Sequence, residues 1–318
     1  MPITNTTIQD LIGGDEKRLN VAVNMILSET NELVQSGLAA RGPEVDEVAS
    51  GGPRKASLAF LNPLSTDEVN VSSDNINEQG DVGSMSADEF MVLRHDLNYA
   101  WGTADLTRFV TQYDDRGGVR AGIADYQNGI DKKLLTSGLK GAKAAVANNT
   151  SITFNETADF DMAAIYDAIA TAEEWSPLFN VMLISHGRYA KLQASEKGFV
   201  SPAQTNTRFA NYQGFTLLKT NTLTDNDVVV GRSGAVAYGQ GAVQTPFEVE
   251  RKANGGAGGG ADILHSRFSR VVHIQGMDYK GAIPTKATLY TNLEAAASWG
   301  LKVPAEQFGF RVVKFNQA

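Results

Sequence analysis

The sequence contains no cysteine among its 318 residues. That one absence excludes a disulfide framework, thiolate zinc sites, iron–sulfur ligation and a cysteine nucleophile together. Long apolar runs are missing as well, and no stretch approaches the roughly 18 apolar residues that cross a bilayer. The opening residues, MPITNTTIQD, show no basic segment followed by an apolar run. No secretory signal is read there, and a soluble protein folding in a reducing cytoplasm is expected. Concentrated positive charge is scarce too. The 28 Lys and Arg are outnumbered by 36 Asp and Glu, a formal net charge of −8, and the basic clusters are pairs such as Lys17-Arg18 and Lys132-Lys133. A protein that grips nucleic acid by its phosphates needs a dense basic surface. An acidic chain meets DNA without holding it, which suits a container better than a reader of sequence.

What is present is enough chain to bury one large core or two smaller ones without covalent staples. Residues 1 to about 50 are acidic, with short helical patches such as Leu19 to Leu27, and end in a breaker run, SGGPRK, at 50–55. Their apolar residues are too sparse for a core of their own, so an arm that packs on neighbouring material, or a partly disordered tail, is expected. Residues 56–84 hold short β-prone pieces, Leu58 to Leu61 and Val69 to Val71, separated by Pro, Asn, Asp and Gly. This texture predicts a long two-stranded excursion from the body. From Ser86 the spacing predicts a helix: Ser86 with Glu89 forms a capping box, and Phe90, Leu93, Leu97 and Trp101 follow at helical intervals. Arg116-Gly117-Gly118 interrupts, and a second helical run through Ile123, Tyr126, Ile130 and Leu134 ends at the Asn148-Asn149 turn.

The remainder mixes helices and strands. Met162, Ile165, Tyr166 and Ile169 predict a helix ending near Trp175-Ser176-Pro177, followed by a buried strand from Phe179 to Ile184 and a short helix around Arg188 to Gln193. Strands are predicted at Phe215 to Leu218, Val228 to Val230 and Phe310 to Phe315. Two-residue alternation on either side of NGGAGGGAD (Phe247 and Val249 before it, Leu264, Phe268, Val272 and Ile274 after it) predicts a hairpin with a flexible tip. No internal repeat and no repeated βαβ unit is present, so the fold class is α+β.

Catalytic patterns are few. Gly231-Arg232-Ser233-Gly234-Ala235 follows a strand and approximates the nucleophile elbow of an α/β-hydrolase, with Asp262 and His265, or Asp278 and His273, downstream as partners. Ala235 stands where the second glycine belongs, and the preceding parallel βα units are missing. Gly256 to Ala261 loosely matches a dinucleotide fingerprint, but it lies between two strand patterns rather than between a strand and a helix. The four histidines, His95, His186, His265 and His273, are scattered. The acidic stretch Asp74 to Asp81 has Ile76 where a calcium loop requires Asp or Asn. No catalytic, cofactor-binding or metal-binding residue is therefore assigned.

Read in order, four stretches resemble the major capsid proteins of tailed bacteriophages, the Hong Kong 97-like fold: LFNVMLISHGRYAKLQ, NYQGFTLLKTNTL, FEVERKANGGAGGGADILHSRFSRVVHIQGMDYKG and LEAAASWGLKVPAEQFGFRVVKFN. The resemblance implies an N-terminal arm over 1–55 and an extended β-hairpin loop over 56–85. A spine helix with the start of a peripheral domain would occupy 86–158, an axial domain 159–245, a peripheral β-hairpin 246–285, and a return to the axial domain 286–318. It implies a structural protein, not an enzyme, that self-assembles through pentamers and hexamers into an icosahedral shell around double-stranded DNA. Such a protein is a virion component assembled in the bacterial host cytoplasm, without a cofactor and without a membrane. Some relatives carry a long cleavable scaffolding extension, and this arm is shorter. The resemblance therefore implies a separate scaffolding protein and a portal as partners, with room for a decoration protein. Some relatives also cross-link a loop lysine to a neighbour's asparagine; Lys55 lies at the base of the loop, so that chemistry is not carried over. An encapsulin, which shares this fold and encloses protein cargo, is the nearest alternative, and a serine hydrolase using Ser233 is the alternative of another class.

Overall fold

The computed structural model describes residues 5–6, 31–61, 69–72, 74–75, 77–111, 115–195, 198–201, 209–221 and 223–316. Most of the arm expected over 1–55, and part of the loop expected over 56–85, lie outside the described residues. In chain order, β1 (Asn5–Thr6), α1 (Glu32–Gln35), β2 (Ala39–Arg41) and α2 (Pro43–Ser50) precede β3 (Lys55–Leu61) and the long β4 (Ala87–Ala104). Helices α3 (Asp105–Thr111) and α4 (Asp115–Ala145) follow, then β5 (Thr153–Asn155) and α5 (Met162–Ala170). Next come β6 (Phe179–Ile184), α6 (His186–Ser195), β7 (Phe199–Val200), β8 (Asn211–Tyr212), β9 (Phe215–Lys219) and β10 (Asp227–Arg232). The rest comprises β11 (Val236–Gly241), β12 (Phe247–Lys252), β13 (Ala261–Ile274), β14 (Met277–Tyr279), α7 (Leu289–Glu294), β15 (Trp299–Leu301) and β16 (Phe310–Lys314).

The helix expected from Ser86 is a strand instead, β4, which begins at Ala87. Phe90, Leu93, Leu97 and Trp101 do fall at helical spacing, but tertiary pairing overrides that local pattern. Leu93 to Ala87 pair antiparallel with Lys55 to Leu61, and Ala104 to Arg94 pair antiparallel with Ala261 to Val271. Val92 and Leu93 are consequently both buried although they point to opposite faces. The glycine pair expected to interrupt, Gly117-Gly118, lies inside α4. Glycine costs a helix about 1 kcal/mol relative to alanine, which is too little to end a helix of 31 residues.

One seven-stranded sheet runs β5-β16-β10-β6-β9-β8-β7. Its central strands are apolar on both faces, as strands covered on both sides must be. Val181, Leu183 and Val229 face one core, while Met182, Ile184, Val228 and Val230 face a second core closed by Ile165 and Ile169 of α5. Asp161 caps α5 by accepting from the Ala163 amide at 3.1 Å, and Ser185 caps α6 by accepting from the Arg188 amide at 2.9 Å.

The other large sheet is organised around β13. One edge of β13 pairs with β4 along most of its length; the other pairs first with β12 and then with β11. Helix α2 lies directly on β11, and a side chain at Gly239 or Gly241 would collide with its backbone. Beyond the three residues that β2 pairs in parallel with β11, the helix continues the ladder with its side chains. Asp46 accepts from the Gln240 amide at 2.7 Å and Ser50 from the Ala242 amide at 3.1 Å.

Helix α4 packs over this sheet through Leu134, Leu135, Ala142 and the following Val146, against Val272, Ile274 and Tyr238. It also buries a charge. Arg270 Nε of β13 donates to Asp131 Oδ1 of α4 at 2.8 Å, and Arg270 Nη2 donates to Gln127 Oε1 at 3.2 Å. The Tyr238 hydroxyl of β11 donates to the other Asp131 oxygen, and Gln240 Nε2 donates to Tyr238 at 2.7 Å. Asp131 and Arg270 are only 3% and 6% exposed. Burial pushes the Asp131 carboxyl up, and Arg270 and Tyr238 pull it back in part. Removing one partner of such a pair strands the other charge in the core. Asp131→Ala is therefore expected to cost about 3–5 kcal/mol, whereas Asp131→Leu combined with Arg270→Met should lie within about 2 kcal/mol of the parent or above it. Equilibrium denaturation of the two variants checks this; equal losses would show that a stranded Arg270 is not what costs the single variant its stability.

Candidate assembly surfaces

β3 and the first seven residues of β4 form an antiparallel ladder that ends at Leu61 and Ala87. Phe60 and Phe90 stack across it with centroids 4.2 Å apart. The base is fixed by the far end of the chain. Lys302 Nζ lies 2.8 Å from Asp88 Oδ1 and also donates to the Glu89 carbonyl, and Asp278 accepts from the Met91 amide at 2.9 Å. The Lys302 hydrogen bond holds the Asp88 carboxyl below its ordinary range. Beyond this base, the described residues of 69–86 form no helix or strand. Asn70 donates to the Asp81 carbonyl at 2.7 Å and accepts from the Asp81 amide at 3.0 Å, drawing the acidic stretch into a closed loop. Val69, Val71 and Val82 are 83%, 88% and 94% exposed. Isolated exposed valines need no explanation, but a loop presenting several of them, with Met85, is a surface suited to a partner.

A second surface is the β12–β13 hairpin. Glu248 pairs with Arg267 at 2.7 Å, Glu250 with His265 at 3.1 Å, and Arg251 with Asp262 at 2.9 Å and with Asp105 of α3. These cross-strand pairs fix the hairpin's register while Phe247 and Val249 stay exposed on β12. At the tip Gly256, Gly258 and Gly260 take positive φ, and Ala257 joins them at φ 56°. Glycine is permissive there, which is why the run is glycine-rich. The apolar side chains of Leu106 and Phe109 on α3 stand exposed at the same end of the sheet, where the Asp105 amide donates to the Gly260 carbonyl at 3.0 Å.

The elbow-like sequence is not an elbow. Arg232 to Ala235 form a turn between two strands, β10 and β11, that carries the chain from one sheet to the other. The Ser233 hydroxyl exchanges hydrogen bonds with the Asn180 carboxamide at 3.0 and 3.2 Å. Its prospective partners are committed elsewhere: Asp262 to Arg251, His265 to Glu250 and Asp278 to the Met91 amide. The glycine run is likewise followed by β13 and not by a helix. Among the described residues, no group of three or more His, Asp and Glu is gathered as a metal site, and no helix is long and apolar enough to cross a membrane.

Two histidines lie in the body of the sheet. His95 on β4 and His273 on β13 are each 3% exposed, and neither ring nitrogen of either has a hydrogen-bond partner among the described residues. His273 packs 5.7 Å from the Phe90 ring at the base of the projecting hairpin. The interactions of Asp278 and Lys302 with 88–91, and of Arg270 with Asp131, link residues far apart in the chain, and no local spacing in the sequence announces them.

No family model matches this sequence, and no curated protein matches it at the level of sequence. Solved structures do match in shape. A chain from Microbacterium phage Oxtober96 superposes with a TM-score of 0.55 at 13% identity, over 91% of this chain and 92% of that one. The capsid of Ralstonia phage GP4 gives 0.52 at 12% identity over 76% and 84%, and the capsid of the native GTA particle gives 0.52 at 11% identity over 92% of each. The chain has the tailed-phage major capsid protein fold.

Burial pushes both imidazoles of the capsid fold's central sheet down, each to about 4, against the small upward pull of Asp96 on His95 and of Asp278 on His273. In the unfolded chain a histidine titrates near 6.5. Between these values the unfolded state binds protons that the folded state refuses, so stability is complete above about pH 6.5 and falls as the pH drops toward 4. The slope reaches about 1.4 kcal/mol per pH unit for each histidine. His95→Phe with His273→Phe is expected to flatten stability against pH across this window, measured by urea midpoints. An unchanged slope would assign the acid sensitivity to other groups.

Proposed function

We propose that this chain is the shell-forming subunit of a tailed-phage capsid, closing through pentamers and hexamers into an icosahedral container for double-stranded DNA. The observation that carries this reading is the likeness in fold, over 92% of both chains, to a structure that is itself a capsid. The surfaces are of the kind that a shell requires. A closed shell repeats a few self-complementary contacts many times, so contacts that are weak singly become strong together. Val69, Val71 and Val82 of the loop and Phe247 and Val249 of β12 are exposed, as such contacts need. In this reading the β5–β10 sheet is the axial domain, the β13-centred sheet is the peripheral domain, and α4 is the spine between them.

The net charge of −8 supports a container whose wall does not grip its contents. Packaged DNA must slide during filling, and multiple phosphate contacts would resist it. A separate scaffolding protein and a portal act with this subunit during assembly in the host cytoplasm, and a decoration protein has exposed hairpins to bind.

Expressed alone or with the scaffolding protein, the full chain should give closed shells, tubes, or rings of five or six subunits in negative-stain electron microscopy after size exclusion. A species that stays monomeric in both conditions overturns the reading. Deleting residues 58–82 should leave a soluble, cooperatively melting protein that closes no shells, because among the described residues of this stretch only Leu58 packs, partly buried, against a core cluster. Normal particles from that deletion would remove the loop from the assembly contact.

A further inference from the structure

We infer that Asn254, at the tip of the β12–β13 hairpin, is a self-modification site, converted to aspartate and isoaspartate by attack of the Gly255 backbone nitrogen on its carboxamide. The sequence contains two Asn-Gly steps, Asn128-Gly129 and Asn254-Gly255. A glycine after asparagine leaves the backbone nitrogen unshielded, because no Cβ stands in the path of attack. The two steps share this chemistry and differ in setting. Asn254 is exposed in the turn between β12 and β13, and its carboxamide makes no hydrogen bond among the described residues. Asn128 is exposed as well, but it lies within the 31 residues of α4. There the helical ladder holds the Gly129 amide, and the backbone is fixed away from the geometry that attack requires.

At the hairpin tip the obstacles are small. The Gly255 amide donates to the Lys252 carbonyl at 3.1 Å, and this single turn hydrogen bond has to open before the nitrogen can attack. The chain that follows takes positive φ at Gly256, Ala257, Gly258 and Gly260, a run with almost no side chain to hold it. Exposed tips of small residues are where backbone bonds open most readily. Glycine at 255 is itself required by packing. A Cβ there would lie 2.9 Å from that of Ala261, so a side chain that would shield the nitrogen does not fit.

The reaction needs only water. The Gly255 nitrogen loses its proton to solvent and bonds to Asn254 Cγ, and the Cγ–Nδ2 bond breaks as ammonia leaves. Water then opens the resulting succinimide at either carbonyl. One opening restores the backbone with aspartate; the other carries the chain through the side-chain carboxyl as isoaspartate. In sum one water is consumed and one ammonia released, with nothing oxidised or reduced. Either product takes the formal charge of the subunit from −8 to −9. The new carboxylate stands close in sequence to Arg251, whose guanidinium already holds Asp105 and Asp262. Isoaspartate also adds a methylene to the turn that the Gly255–Lys252 and Gly260–Gly255 backbone bonds close. In a shell of the kind proposed above every copy carries this tip, so the modified fraction rises with the age of the particle.

The test holds the purified full chain in mildly alkaline buffer, samples it over several weeks and cuts each sample with trypsin at mildly acidic pH for mass spectrometry. The peptide from Ala253 to Arg267 contains Asn254 and no other asparagine, and the peptide from Ala121 to Lys132 contains Asn128 alone. The first is expected to gain about one dalton and to separate into aspartate and isoaspartate forms. The second should react at least about tenfold more slowly, since attack there waits on local opening of α4. In the urea-unfolded chain both should react at similar rates, which assigns the contrast to the fold. Asn254→Gln should abolish the change in the first peptide. Native Asn254 reacting no faster than native Asn128 overturns the inference. Aspartate formed without isoaspartate would mean direct hydrolysis by water, and overturns the attack by Gly255. These outcomes are read on the subunit itself and do not depend on whether it closes shells.

Discussion

The buried contact between Arg270 and Asp131 is the point at which three otherwise separate elements are registered against one another. Arg270 lies on β13, Asp131 on α4 and Tyr238 on β11, and the carboxylate takes both a guanidinium and a phenol in a space closed to water. Apolar packing alone is tolerant of sliding, because one Leu or Val contact resembles the next. A buried carboxylate is not tolerant, since a one-residue slip of β13 would turn Arg270 to the other face and strand both charges. The register of β13 in turn sets β4, β11 and β12, which all pair with it. The positions of both projecting hairpins therefore descend from this one ion pair.

Close backbone approach is the second constraint. At Gly141 a side chain would collide with the Leu293 carbonyl and with the Trp299 indole, whose Nε1 donates to that same carbonyl at 2.7 Å. Helix α4 thus lies against α7 and β15 at a distance only glycine permits. Arg311 closes the other sheet in a comparable way. It is fully buried, bonds the carbonyls of Ala305, Phe308 and Phe310, and among the described residues meets no carboxylate within hydrogen-bond distance. Burial lowers its guanidinium to about 10. Both features make the body stiff, and a stiff body can hold exposed hairpins at the fixed angles that a repeated contact requires.

Much of the fold was legible along the chain where local signals and tertiary needs agreed. The strand from Phe179 to Ile184 is a short run apolar at every position but Asn180, and it is central and covered on both faces. The helix from Met162 carries Asp161 as its cap and a single apolar stripe. The hairpin around NGGAGGGAD has both alternation and turn chemistry. The expected helix at Ser86–Trp101 failed because its local spacing was ambiguous and its partners, 55–61 and 261–271, lie far away in sequence. The Ser233 turn looked like an elbow because a strand followed by Gly-x-Ser-Gly reads identically whether a helix or a second strand comes next.

By itself the sequence determined the α+β class, the absence of thiol chemistry, the acidic balance and the tract over 56–93 that lacks any basic residue. Those properties belong to composition and to short-range periodicity, so they survive without knowledge of contacts. Only the tertiary structure decided which residues meet: Arg270 with Asp131, Lys302 with Asp88, and Arg54 with Asp96. The reason is physical. Pairings across many tens of residues depend on strand register and on helix placement, and these are settled by the packing of the whole core rather than by any segment of it.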